Sequence, residues 1–141
     1  MVAKALGSML SVLGLLMALV VVVDLLTGRE VSLAFLAASA VLVLTGLLAS
    51  KLGPAEEMSY MEALASASLT WAALPAISAV PFSLELGVPY VDAFFECVSG
   101  FTGTGLTVLI GLERLKPSLL FWRALMQWVG ELGFVVIPMG L

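Results

Sequence analysis

The sequence predicts an all-α integral membrane protein: four transmembrane helices, one re-entrant pore half-helix and an extended segment after it. Three observations predict this. The 141 residues are 62% hydrophobic and 11% charged, against about 45–50% apolar and about 25% charged in soluble domains. Four apolar runs each match the roughly 20 residues needed to cross about 30 Å of hydrocarbon. Between the third and fourth lies an apolar run too short to cross, closed by Thr102-Gly103-Thr104-Gly105.

The first span covers about residues 5–26 and ends at the turn Thr27-Gly28-Arg29-Glu30. Lys4 ahead of an apolar run resembles a secretory leader. The run exceeds the roughly 7–15 residues of a leader's apolar region, and no A-x-A-like site follows closely. It reads as a retained membrane helix. The second span covers about residues 31–52 and is closed by Gly53-Pro54. The short polar turn between the two makes a helical hairpin, so residues 1–53 form one unit. A loop carrying Lys51, Glu56, Glu57 and Glu62 leads into the third span, about residues 59–82. Its Ala63, Ser66, Ala67 and Thr70 are small residues at helical spacing, which let membrane helices approach closely. The third span is expected to pack inside the protein and the Leu- and Val-rich first span to face lipid.

After Pro81 the pattern changes. Residues 86–90 form a connector marked by Gly and Pro, and Asp92 opens the half-helix, which runs to about Phe101. Some ten helical residues span only about 15 Å. Residues 111–117 form a charged turn, and Pro117 suits the first turn of the fourth span. That span runs to Leu141 with no polar flank, the pattern of a truncated segment. Residues 54–141 thus read as a single membrane–pore–membrane unit.

Composition excludes several function classes. The net charge is −4, with Glu56, Glu57, Glu85 and Glu113 among the loop residues, and no Lys/Arg cluster offers a nucleic-acid footprint. The single Cys97 excludes an intrachain disulfide, and with no His a transition-metal cluster is a poor fit. Cys97 reads as a small buried hydrophobe. The glycines match neither dinucleotide nor phosphate-loop spacing, so no cofactor is expected. Asp92 and Glu96 share the short helix, but no Ser–His, Cys–His or metal set accompanies them, so the chain does not read as an enzyme.

The candidate site follows the half-helix. Asp92 would stand at its N-terminus, where a carboxylate is favoured by unpaired amides; the bland alternative is a surface cap. Gly100, Gly103 and Gly105 permit backbone angles closed to other residues and close approach to a ligand. A potassium filter needs inward-facing carbonyls that replace the ion's water. The carbonyls of Thr102, Gly103, Thr104 and Gly105 are the candidates, against the alternative of a glycine-rich turn joining two helices. On the fourth span Arg123, Gln127 and Glu131 recur at i, i+4 and i+8, one polar flank of an apolar rod. Charges at such depth usually face a cavity or a partner. Arg123 and Gln127 are candidates to anchor the helix behind the filter, and Glu131 to attract cations or pair with a basic neighbour; the alternative is a helix-packing polar contact, which for Gln127 is the favoured reading. Gly130 and Gly133 read as close-packing positions, Trp122 as an interfacial anchor and Trp128 as a packing residue.

DAFFECVSGFTGTGLTVL, followed by LERLKPSLLFWRALMQWVGELG, resembles the first membrane–pore–membrane unit of the Trk/Ktr/HKT superfamily of potassium transporters, in its TrkH-like branch. Members typically read D-A-x-F-E-x-x-S-x-F-T-T-T-G-x-T and then S-L-L-F-W-R-x-x-x-Q-W-x-G-G-x-G. The likeness covers roughly residues 59–133, and the first two spans resemble the N-terminal hairpin of TrkH-like members. It implies transport of potassium, sometimes with sodium, across the cell membrane, with Gly105 as filter glycine and Thr102, Gly103 and Thr104 as carbonyl donors. It also implies membrane lipid as surroundings, a pore dimeric at the chain level, and a cytosolic nucleotide-binding regulatory subunit as a partner. Gly103 stands where Thr is usual, and Glu131 where glycine is usual. A family pore needs four such units, so others must come from the rest of a longer chain or from a homo-oligomer. Family topology leaves Lys4 and Lys51 inside but Arg29, Arg114, Lys116 and Arg123 outside, against the positive-inside tendency. The competing reading is a non-conducting small membrane subunit or assembly factor that packs against a partner membrane protein.

Overall fold

The computed structural model describes residues 2–51 and 59–139, with side-chain surroundings for residues 4–51 and 59–132. The chain forms helices α1 (Val2–Leu26), α2 (Leu33–Lys51), α3 (Tyr60–Leu86), α4 (Tyr90–Phe101) and α5 (Pro117–Met139), with a 3-10 turn at Leu112–Arg114. Among the described residues there is no strand. Helices α1 (from Lys4), α2 and α3 are long and apolar enough to cross a membrane. The expected Gly53-Pro54 turn and the acidic loop residues Glu56 and Glu57 lie outside the described residues.

Helices α1 and α2 pair through small residues. A Cβ on Gly46 would meet Ser11 Oγ at 2.4 Å and Gly7 O at 2.5 Å, so the two backbones lie in direct contact. Hydrocarbon cannot drive one apolar helix onto another, so such close van der Waals contact has to hold the hairpin. At its turn, Ser32 rather than Val31 sets the start of α2: its Oγ accepts from Phe35 N at 3.3 Å, an N-cap bond. The Ser32 amide in turn donates to Asp24 Oδ2 at 3.0 Å.

Helix α3 opens with a reciprocal cap, Glu62 N to Ser59 Oγ at 3.3 Å and Ser59 N to Glu62 Oε2 at 3.0 Å. It runs one turn past the expected end, with Pro75 and Pro81 both inside it. Each proline removes one backbone donor, and neighbouring helices in a membrane bundle can compensate that. The true stop is Gly87, left-handed at φ 67°, whose amide donates to Ser83 O at 2.9 Å. The contrast expected between α1 and α3 is absent, since 28% of each span is buried. Leu13, Met17 and Val20 of α1 belong to the common core because α1 packs against α3 and α5 as well as α2.

Helix α4 is two-faced. Ala93, Cys97 and Phe101, at i, i+4 and i+8, are buried, whereas Val91, Phe94 and Phe95 face outward. Cys97 is thus the buried hydrophobe expected. On α5 the two tryptophans differ from expectation in their burial. Trp122 is 1% exposed and meets Phe35 of α2 edge-on, with centroids 5.5 Å apart, while Trp128 is 61% exposed. Trp122 lies one turn from both Ser118 and Met126 on the buried face of α5; Trp128 lies off that face.

Candidate functional site

The backbone leaves α4 in a tight winding. Thr102 N donates to Val98 O (2.9 Å), Gly103 N to Gly100 O (3.0 Å) and Thr104 N to Ser99 O (3.0 Å). Gly103 has φ 67° and Gly105 φ 72°, while among the described residues none other than glycine has positive φ. Residues 102–105 therefore alternate negative and positive φ, a path that L side chains at 103 and 105 would oppose. Residues 104–109 are non-helical, and residues 102–108 are exposed. Among the described residues no donor reaches the carbonyls of Thr102, Gly103, Thr104 or Gly105. The Thr102 and Thr104 hydroxyls meet at 2.7 Å.

The segment then turns back along α4, held at two levels. Ser99 Oγ donates to Leu106 O at 2.7 Å. One turn earlier on α4, Glu96 Oε1 accepts from Thr107 Oγ1 (2.6 Å), Val108 N (2.7 Å) and Leu109 N (3.4 Å). Glu96 is 2% exposed. Its other oxygen, Oε2, forms an ion pair with Arg123 Nη1 at 3.0 Å, though it accepts no aligned hydrogen bond. Arg123 Nη1 also donates to Thr107 Oγ1 at 3.3 Å. A carboxylate buried this deeply requires both a counter-charge and donors; Arg123 supplies the first and the segment 107–109 the second.

The polar flank of α5 lies alongside this segment in register. Arg123 touches Thr107. Gln127 Nε2 lies 3.7 Å from where a Cβ on Gly105 would stand, and Glu131 Cγ lies 3.4 Å from the equivalent point on Gly103. Four helical residues rise about 6 Å and two extended residues about 6.6 Å, so the i, i+4, i+8 ridge of the helix keeps pace with every second residue of the segment. Gly130 closes the arrangement: a Cβ there would stand 2.1 Å from Phe101 O, so α5 rests on the backbone at the end of α4.

Of the residues singled out from sequence, Thr102, Gly103, Thr104, Gly105, Arg123, Gln127 and Glu131 come together. Asp92 does not join them. Helix α4 starts at Tyr90 after Pro89, so Asp92 sits in the first turn instead of opening the helix, and it makes no side-chain cap bond. Residues beyond Leu132, Gly133 included, lie outside the described side-chain surroundings. Sequence reasoning missed Glu96 and Ser99 as parts of the site. Arg123 was the available signal, because a guanidinium among apolar helix residues needs a carboxylate and the neighbouring short helix carries two, Asp92 in its first turn and Glu96 at its middle.

Comparison with known proteins places the chain in a family. Residues 30–140 match the TrkH family, described as cation transport proteins. The Trk system potassium uptake protein TrkH of Halomonas elongata is 30% identical over 145 residues, covering 100% of this chain and 30% of that protein. An uncharacterized cation transporter of Methanocaldococcus jannaschii is 27% identical over 133 residues, 94% of this chain and 28% of that protein. The Trk system potassium uptake protein TrkH of Escherichia coli K12 is 37% identical over 87 residues, 60% of this chain and 18% of that protein. This chain thus spans less than a third of the length of these relatives. The family is one of transporters rather than enzymes, and with three apolar spans the chain is a multi-pass protein of the cell membrane. By the match over most of its length and the relatives that share it, the chain belongs to the TrkH family of cation transport proteins.

Proposed function

We propose that this chain supplies an N-terminal transmembrane hairpin, residues 1–53, and one membrane–pore–membrane unit, residues 54–141, to a Trk-type pore that passes monovalent cations, chiefly potassium. In this reading α5 is the fourth span, α4 is the re-entrant half-helix, and the carbonyls of Thr102, Gly103, Thr104 and Gly105 line the ion path. No resident cofactor is involved; potassium is cargo. The observation that carries the proposal is the pair of left-handed glycines alternating with threonines beside four carbonyls that receive no hydrogen bond from the described residues. Backbone of that kind is tolerated at membrane depth only where it is buried in protein or lines a wet cavity. Rings of such carbonyls are how cation filters replace an ion's water.

One unit cannot close a ring, so further membrane–pore–membrane units complete the pore, either from the remainder of a longer chain or from other copies. Lipid surrounds the assembly, and a cytosolic nucleotide-binding regulatory subunit is the partner that family kinship implies. Arg123 and Gln127 support the filter segment from behind. Asp92 stays near the outer start of the half-helix, where the helix dipole favours it.

The test is rubidium uptake in cells lacking their own potassium uptake systems, with the protein expressed from its complete reading frame. Gly105→Asp is expected to abolish uptake while membrane insertion is retained. Undiminished uptake in a well-inserted Gly105→Asp protein sinks the filter assignment. Absence of flux in every variant, together with a stable complex with another membrane protein, favours the non-conducting subunit instead.

A further inference from the structure

We infer that the Glu131 carboxylate forms, with the main-chain oxygens around Gly103, a cation site at the deep end of the filter segment, and that this site admits divalent ions. The inference rests on the filter reading above and adds to it a residue that sets which cations compete.

The geometry is specific to these two positions. Glu131 is exposed, and among the described residues no basic group pairs with it. Its Cγ and Oε1 stand 3.4 and 3.8 Å from where a Cβ on Gly103 would lie. Any side chain at 103 would therefore sit against the glutamate; glycine leaves the carboxylate open access to the main chain. Gly103 and Glu131 are also the two positions at which this chain departs from the sequence pattern it otherwise resembles, and in the folded chain they are neighbours. A side chain is missing on the filter side at the point where one carrying a full charge arrives from α5.

The chemistry follows from the donor set. Neutral carbonyls compensate a monovalent ion's lost water without adding net charge. A carboxylate among them adds a full negative charge and a hard oxygen, the ligand type that alkaline-earth ions prefer. Its attraction for a divalent ion is twice that for potassium at the same distance. Divalent ions should therefore dwell at Gly103 and obstruct the path.

The experiment is inhibition of rubidium uptake by barium, a divalent ion close to potassium in radius, using the protein expressed from its complete reading frame. Relative to the wild type, Glu131→Gln is expected to raise the barium concentration for half-inhibition roughly ten- to thirtyfold, with a smaller rise in the rubidium half-saturation concentration. Glu131→Asp, which keeps the charge but withdraws it by one methylene, should fall between the two. Glu131→Gln protein that transports rubidium with unchanged barium sensitivity overturns the inference. A role for Glu131 in pairing with a basic group of another unit predicts altered assembly size and unchanged barium sensitivity, and also overturns it. In either case, loss of uptake in Gly105→Asp would leave the filter reading standing, so the two failures are separable.

Discussion

Gly130 of α5 and Phe101 of α4 are in backbone contact: a Cβ on Gly130 would stand 2.1 Å from the Phe101 carbonyl oxygen and 2.6 Å from its carbon. Main chain cannot yield as a flexible side chain does, so even alanine must push α5 away from α4. Overpacking of this kind costs about 1–3 kcal/mol or more. Gly130→Ala is expected to lower the thermal unfolding midpoint of detergent-purified protein by several degrees and to reduce rubidium uptake. Equal midpoints for Gly130→Ala and wild type would contradict the contact. Ala124, on the exposed face of the same helix, is the control position, where Ala124→Leu should change neither.

A second prediction concerns the buried pair Glu96–Arg123. Removing one partner strands the other charge and costs about 3–5 kcal/mol, whereas removing both together costs much less. Arg123→Leu alone should strongly destabilise the protein. Glu96→Gln keeps an oxygen acceptor for Thr107 and Val108 but strands the guanidinium, so it should fall between Arg123→Leu and wild type. The double variant Glu96→Gln/Arg123→Leu should recover part of the loss. A double-mutant cycle on thermal midpoints reads the coupling directly; additive effects would show that the pair is not coupled.

These two contacts also mark how far the sequence was legible. The spans were readable because hydrocarbon thickness translates into run length, and the segment at 102–105 because threonine alternating with glycine has few uses between membrane helices. The stripe Arg123, Gln127, Glu131 was readable from helical spacing alone. Its place behind the filter was an expectation from sequence, but its pairing residue by residue with Glu96, Gly105 and Gly103 was not, because that register depends on how α5 lies against α4 and the segment that follows it. The burial of Trp122 was missed for a related reason. A tryptophan near a span's start suits an interface by position, yet Trp122 is enclosed because Phe35 of the hairpin turns against it. The end of α3 was placed a turn early by giving Pro81 the weight it has in soluble helices, when Gly87 is the terminator.

Gly105 carries a third prediction, on conformation rather than bulk. With φ at 72°, an L residue there costs roughly 1–2 kcal/mol of backbone strain, although its Cβ would meet only Gln127 Nε2 at 3.7 Å. Gly105→Ala should retain insertion and lower the thermal midpoint by no more than several degrees while cutting rubidium uptake tenfold or more, because a small rotation here misdirects the neighbouring carbonyls. Full uptake in Gly105→Ala would mean that the backbone at 105 is not part of the path.

The last prediction lies at the other end of the fold, where Glu85 joins the hairpin to α5. Lys116 Nζ, in the turn ahead of α5, donates to Glu85 Oε1 at 2.5 Å, and Ser32 Oγ at the hairpin turn donates to Glu85 Oε2 at 2.5 Å. The hydrogen bond to Glu85 is the largest cause holding the Lys116 ammonium above its ordinary value of 10.5; partial burial opposes it, and the charges of Glu85, Asp24 and Glu30 add to it. A lysine whose folded value is raised stabilises the fold fully below its unfolded value, and that contribution is lost as pH rises through the raised one. Wild type should therefore exceed Lys116→Met in thermal midpoint by a constant margin up to about pH 9.5, and the margin should close above pH 10.5. The margin should be small, because the Lys116 side chain is 36% exposed and solvent screens the pair. Lys116→Arg, which does not deprotonate in this range, should hold its margin where wild type loses it. If Lys116→Met and wild type lose stability in parallel through this range, the ion pair is not what fastens the hairpin to the start of α5.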